Sequence, residues 1–213
     1  MPLFDTPTLL AYSVAAAVLV LIPGPGTAWI VAQTIAGGTR RGIRAGFGLE
    51  TATLIHALAA GLGLSAVLAT SALAFEAIKY AGAGYLIWLG IKAWRNREAQ
   101  ASAPTATVPA PTARNVYVRS VVTGVLNPKV ALFFLAFLPQ FVHPERGLVP
   151  VQFLVLGLIL SVIGMSNSVA IAFTIGRFGR RLSTSARIAR WRQRLIGTVF
   201  IGLGLRLAVQ ERG

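Results

Sequence analysis

Glu50, His56 and Lys129 are titratable side chains set inside long apolar stretches of this chain. A carboxylate and an imidazole in such surroundings could take up and release protons, and an ionisable residue within a membrane span is costly enough to suggest a function. Glu50, Thr53 and His56 follow one another at i, i+3, i+6, which lines them up in one slanting row on a helix. Each has a plainer reading as well. Glu50 could pair with Arg44 at an interface, His56 could be a neutral imidazole bonded to a neighbouring helix, and Lys129 could extend its stem through apolar packing toward water.

A second kind of chemistry lies in the backbone. Pro23-Gly24-Pro25-Gly26 and Asn127-Pro128-Lys129 each interrupt an apolar run. Proline removes a backbone donor and clashes with the preceding turn, so each run breaks there. Broken helices expose peptide N–H groups that receive a carboxylate and carbonyls that receive an ammonium, as a zwitterionic amino acid requires. Asn167, between Ser166 and Ser168, adds a polar patch; interhelical hydrogen bonding is the commoner use of such groups. The chain has no cysteine and only two histidines, His56 and His143. Thiolate chemistry is excluded, and neither a metal nor a cofactor is expected. A Ser/His/Asp constellation that would support an intramembrane enzyme is not apparent, and one Glu with one His makes a thin site for a metal carrier.

Helices across a bilayer must position these residues. Of 213 residues 55% are hydrophobic and 12% charged, about half the charge of a soluble domain. The net charge of +14 could suggest nucleic acid, but the basic residues stand at the borders of apolar runs, where membrane proteins place them. No nucleic-acid partner is expected. The first basic residue is Arg40, so the first apolar run reads as a permanent span rather than a cleavable leader.

About 20 apolar residues cross the hydrocarbon as a helix. On that rule six spans are predicted: 7–35, broken at Pro23–Gly26; 45–70; 73–92; 117–142, broken at Asn127-Pro128; 149–176; and a short one at 195–210. Five crossings with a re-entrant segment is the alternative. Arg40, Arg41 and Arg44 close the first loop, an Ala/Pro/Thr-rich stretch covers 99–114, and seven arginines follow span 5. The loops after spans 1, 3 and 5 hold most of the 20 basic residues, which predicts that they are cytoplasmic and that both termini are outside. Glu76 and Lys79, and Lys92 with Arg206, read as structural or snorkelling charges. Gly42 to Gly46 and Ala57 to Gly61 are small-residue patterns that allow close helix approach.

The halves 1–98 and 115–213 each open with a proline-broken span. Each closes on a similar signature, Ile87-Trp88-Leu89-Gly90-Ile91-Lys92 and Ile201-Gly202-Leu203-Gly204-Leu205-Arg206. Three spans per half make the second half enter from the opposite side. The predicted fold is therefore all-α and polytopic, two inverted three-helix repeats with broken helices 1 and 4, a pattern that points to a transporter.

Several segments resemble the LysE superfamily of amino-acid exporters, most closely its RhtB (homoserine/threonine efflux) branch. They are Pro23-Gly24-Pro25-Gly26, the run from Ala74 to Gly90, Asn127-Pro128-Lys129 with Phe137-Leu138-Pro139-Gln140-Phe141, and Gly202-Leu203-Gly204. The resemblance runs through the whole chain in order. It implies a multi-pass protein of a bacterial inner membrane that exports amino acids or related small metabolites, driven by the proton gradient. The expected partners are a small amino-acid substrate, the lipid bilayer and, as an option, further copies of the chain. Pro23, Gly24, Pro25, Gly26, Asn127, Pro128, Lys129 and Asn167 are the expected substrate contacts, and Glu50 and His56 the expected proton-coupling groups. The homoserine-exporter type often carries an acid in the middle of span 5; here that region reads Ile163-Gly164-Met165-Ser166-Asn167-Ser168, so coupling would need another group.

Overall fold

The computed structural model describes residues 3–70 and 112–178, with positions 80, 84, 87, 88, 91 and 198. Predicted spans 3 and 6, the seven-arginine loop and most of the Ala/Pro/Thr stretch lie outside the described residues, as do Glu76, Lys79, Lys92 and Arg206.

Asp5 starts the first helix. Its carboxylate accepts the Thr8 N–H at 2.8 Å, satisfying one of the donors a helix start leaves open. This hydrogen bond, with Arg146 alongside, holds the Asp5 carboxyl down at about 2. Helix α1 runs Thr6–Leu21, about 24 Å at the usual rise. That is short of a ~30 Å hydrocarbon core, so α1 cannot finish a crossing. Ile22 is extended, the Pro23–Gly24 step is not helical, and α2 (Pro25–Thr70) begins on a proline, whose missing N–H costs nothing at a helix start.

By length and hydropathy Pro25–Gly63 would pass for one very long span. Its geometry divides it. Gly37 (φ −157°, ψ 22°) and Gly38 (φ 76°, ψ −179°) leave the helical region, and the positive φ at Gly38 is one that glycine adopts without a Cβ penalty. In a continuous helix Gly26 and Leu49 would stand roughly 35 Å apart. A methyl group on Gly26 would instead lie 3.4 Å from Leu49 Cδ1, and Arg41 Nε donates to Gln33 Oε1 at 2.8 Å. The chain reverses at Gly37-Gly38. The first limb of α2 completes the crossing that α1 begins, and the second limb returns. The predicted loop around Arg40, Arg41 and Arg44 is thus shorter than expected: two glycines suffice for the reversal, and these arginines lie in the opening turns of the second limb.

The second half follows the same plan. Thr112 caps α3 (Ala113–Val125) through its Oγ1 and the Asn115 N–H. After a break at Leu126-Asn127 the chain resumes as α4 (Pro128–Leu132), which widens to a π turn at Phe133–Phe137 and tightens to a 3-10 turn at Leu138–Phe141. The segments on either side of the break are bent by 47°. A short 3-10 turn, Pro144–Arg146, leads into α5 (Val149–Phe178). At 30 residues α5 is long enough to cross with tilt. Among the described residues every regular element is helical.

The second limb of α2 and α5 run antiparallel along a seam of small residues. Gly42 faces Ala172, Gly46 faces Ser168, Ala57 faces Gly157 and Gly61 faces Phe153, so every step forward on α2 is met by an equal step backward on α5. A methyl group on Gly46 would stand 2.8 Å from the Ser168 Cβ. Such side chains let two backbones approach closely, which is how helices associate where lipid removes the hydrophobic drive. α3 packs alongside the second limb of α2, Gly48 against Ser120 and Gly124 against Ala52, and Trp29 Nε1 donates to Ser120 Oγ at 2.7 Å. α1 is fastened to α5 by Tyr12, whose buried hydroxyl donates to the Leu156 carbonyl at 2.8 Å.

These contacts leave the two ends of the bundle unequal. At the Asp5 end Tyr12, Phe133, Phe134, Phe137, Phe153 and Leu156 form one buried cluster, with Tyr12 edge-on to Phe141 at 5.3 Å between ring centres. Arg146 ties the α4–α5 connection to Asp5 at 3.2 Å. Gln152 holds the same connection by donating to the His143 and Gly147 carbonyls. Toward the Arg40 end the buried apolar cluster among the described residues is Ile30, Leu49 and Ala172, with Ile43 and Ile171 packed against it.

Candidate functional site

Both breaks face one cavity, midway between the two ends. α1 stops at Leu21; its Leu19 carbonyl accepts the Ile22 N–H at 3.3 Å, and the Ile22 carbonyl lies beyond the helix and its ladder. Lys129, in the first turn of α4, supplies the donors: its Nζ lies 3.0 Å from the Leu19 carbonyl and 3.0 Å from that of Ile22. A cation at the start of its own helix opposes that helix's dipole, whereas at the end of α1 it is favoured. The lysine is therefore placed for the neighbouring helix. Its stem lies beside Gly24, where a methyl group would stand 3.7 Å from Lys129 Cε. Asn127 caps α4 by accepting the Lys129 N–H at 3.1 Å.

Glu50 reaches the same space from the other side. It projects from the second limb of α2 into the seam at Gly164, where any added side-chain carbon would meet its carboxylate. The Thr53 and Ser161 hydroxyls lie beside it, and the Lys129 ammonium faces it. Among the described residues Arg146 pairs directly with Asp5, and His143 Nδ1 lies 3.2 Å from Glu145 Oε1; Glu50 and Lys129 form no direct pair, and both line the cavity.

That cavity measures about 80 Å³. One water needs roughly 10–15 Å³ on this measure, so the space accepts several waters or a compact solute. Among the described residues its polar lining comprises Thr27, Glu50, Thr53, Asn127, Lys129, Asn167 and Ser168, and the rest is glycine or aliphatic. The opening turn of α2, Gly26 and Thr27, borders it, bringing the positive end of that helix dipole to the cavity.

Of the residues expected from sequence, Gly26, Glu50, Asn127, Lys129 and Asn167 line one cavity. Pro23, Gly24, Pro25 and Pro128 shape the two breaks without lining it. His56 stands apart: its ring stacks on Phe134 at 5.9 Å and its Nε2 lies 3.4 Å from the Gly124 carbonyl. Thr27, Leu49 and Ser161 were not singled out by sequence reasoning. Ser161 carries a signal only once the α2–α5 pairing is known, and Leu49 looks like any span leucine. Among the described residues no group of three His, Cys, Asp or Glu side chains gathers as a metal site would.

The family model described as LysE type translocator matches residues 17–211. An uncharacterised membrane protein of Vibrio cholerae is 36% identical over 97% of this chain and 99% of its own length. A leucine efflux protein of Klebsiella pneumoniae is 30% identical over 98% of each chain. A homoserine/homoserine lactone efflux protein of Salmonella typhimurium is 35% identical over 73% of this chain and 74% of its own. No solved structure matches.

Proposed function

The chain belongs to the LysE type translocator family, as a multi-pass exporter of the bacterial inner membrane, and from that premise we propose that it exports amino acids by proton antiport through the cavity between its broken helices. The observation that carries this reading is the meeting of both breaks, Glu50 and Lys129 around one cavity. Relatives named for leucine and for homoserine efflux support an amino acid as cargo.

The chemistry follows from what faces the space. The substrate carboxylate takes the Lys129 ammonium and the positive end of α2, while the substrate ammonium takes the Glu50 carboxylate. Asn127 and Asn167 supply neutral donors and acceptors between them. With the substrate absent, a proton on Glu50 removes the unpaired negative charge from the interior, which favours return of the empty carrier. Proton and substrate ammonium thus compete for one carboxylate, and that competition couples their opposite movements. His56 stands one step removed from the cavity, its Nε2 beside the Gly124 carbonyl near the α3 break.

The two halves act as inverted repeats, residues 1–98 and 115–213 joined by the Ala/Pro/Thr-rich linker. The α2–α5 seam supports this: the pairs Gly46–Ser168 and Ala57–Gly157 lie on either side of Glu50–Gly164, as do Gly42–Ala172 and Gly61–Phe153. A two-fold axis through the crossing exchanges them, and alternating access is a rocking of one half on the other about it.

Purified protein in liposomes, loaded with labelled amino acid and given an inward proton gradient, is expected to release label faster than without the gradient. No efflux of any amino acid under any imposed gradient would remove the proposal. Glu50→Gln with wild-type pH dependence of efflux would remove the coupling role of Glu50 alone.

A further inference from the structure

Three helices lead outward from the cavity. With the Arg40 end in the cytoplasm, as the positive-inside rule assigns, the Asp5 end faces outside. Leu19 and Val20 of α1, Val130 of α4 and Leu160 of α5 line the cavity. Farther out on each helix the side chains are large and buried: Tyr12, Phe133, Phe137 and Leu156. Tyr12 lies seven residues outward of Leu19, about 10 Å along α1, and Leu156 lies four residues outward of Leu160, about 6 Å along α5. Four rings close a circuit in this layer. Ring centres are 6.2 Å apart for Tyr12 and Phe133, 5.1 Å for Phe133 and Phe137, 5.3 Å for Phe137 and Phe141, and 5.3 Å for Phe141 and Tyr12. The second half supplies three of the rings and the first half one. The three come from the stretch that passes from a π turn to a 3-10 turn, a rare geometry that recurs at functional sites.

α1 is attached as a lever would be. At its inner end Lys129 Nζ reaches the Leu19 and Ile22 carbonyls, and the non-helical step from Ile22 to Gly24 separates it from α2. At its outer end the Tyr12 hydroxyl donates to the Leu156 carbonyl at 2.8 Å, and Asp5 meets Arg146 at 3.2 Å. Both outer contacts join the first half to the second. Each exchanges for water at a modest cost, since a single hydrogen bond is worth little net and a part-exposed ion pair less. Such a fastening closes in one geometry and still opens.

We propose that α1 is the exit gate: it pivots at Ile22–Gly24 on the Lys129 contacts, and withdrawal of the Tyr12 ring from Leu156 and the three phenylalanines opens the cavity to the outside. This rests on the cavity being the substrate site. The chain lacks cysteine, so Val20→Cys makes a single reporter on the cavity wall. Intact cells carrying it are treated with an impermeant thiol reagent slow enough to read the outward-open fraction. Rates are divided by the total reporter titrated in denaturant, so expression level cancels. Tyr12→Phe keeps the ring and removes the hydroxyl, and is expected to speed labelling about 2- to 10-fold, the scale of one hydrogen bond. Arg146→Ala is expected to speed it by a smaller factor, about 2-fold. Glu145→Ala, whose carboxylate meets His143 within the same connection, should leave the rate unchanged. Labelling at the unaltered rate with Tyr12→Phe overturns the inference, as does an equal acceleration by Glu145→Ala, which would mean general loosening of that end. These rates need no knowledge of the cargo. Wild type that releases no amino acid from liposomes sinks the transport reading, a separate failure that the labelling does not measure.

Discussion

Lys129 shows how one side chain serves two helices. Its ammonium reaches the Leu19 and Ile22 carbonyls at 3.0 Å each; Leu19 also takes the Ile22 N–H, so Ile22 is the carbonyl left alone without it, in an interior where that costs about 1–3 kcal/mol. Lys129→Met keeps the length of the stem and removes the donors. It is expected to lower thermal stability in detergent by an amount equivalent to about 1–3 kcal/mol, whereas Lys129→Arg, which retains donors and charge, should lose less. If Lys129→Met melts with wild type, the carbonyl contacts contribute nothing. Asp5 offers a pH test outside the membrane. Its folded-state pKa of about 2 lies below the ordinary 3.8, so its contribution is complete above the ordinary value and disappears as pH falls through 2. The loss of melting temperature on Asp5→Ala should therefore be equal near neutral pH and at about pH 5, and should shrink only in stronger acid. Glu50 was visible in sequence as an acid in an apolar run. That its carboxylate enters a notch opposite Gly164 was not, because the notch belongs to a helix more than a hundred residues away.

At the level of elements, the seam between the second limb of α2 and α5 sets the geometry of the cavity. Its closeness depends on residues without bulk. Gly157→Leu must displace Ala57, and Gly46→Leu must displace Ser168; overpacking of this kind costs about 1–3 kcal/mol. Both should lower thermal stability and efflux together. Gly63→Leu is the comparison, since among the described residues nothing lies within 4 Å of a Cβ there. Equal melting temperatures for Gly46→Leu, Gly157→Leu and Gly63→Leu would argue that the seam is not close-packed. The small-residue patterns Gly42 to Gly46 and Ala57 to Gly61 were legible as packing surfaces. Their partner was not, because spacing states which face is smooth and not which helix it meets.

Among the described residues, aromatic packing closes the bundle at the Asp5 end, while Ile30, Leu49 and Ala172 form a smaller buried cluster toward the Arg40 end. The positive-inside rule assigns the Arg40 end to the cytoplasm. The chain lacks cysteine, so single cysteines report directly. A cysteine introduced by Glu145→Cys is expected to react with an impermeant thiol reagent from outside intact cells, and one introduced by Arg40→Cys only after the membrane is opened. The reverse pattern would invert the orientation and turn the proposed export into uptake.

The membrane character, the two break points and the family were determined by the sequence alone. Apolar run length, proline chemistry and charge placement act over a few neighbouring residues and need no partner. Tertiary structure decided the rest. It reversed the chain at Gly37-Gly38 where a loop was expected, and turned Lys129 away from its own helix to the open end of α1. It also brought Glu50 to the same cavity while leaving His56 against Phe134 and the Gly124 carbonyl. Those outcomes depend on which smooth helix faces interlock and which exposed peptide groups find a donor, and such pairings exist only once distant segments have met.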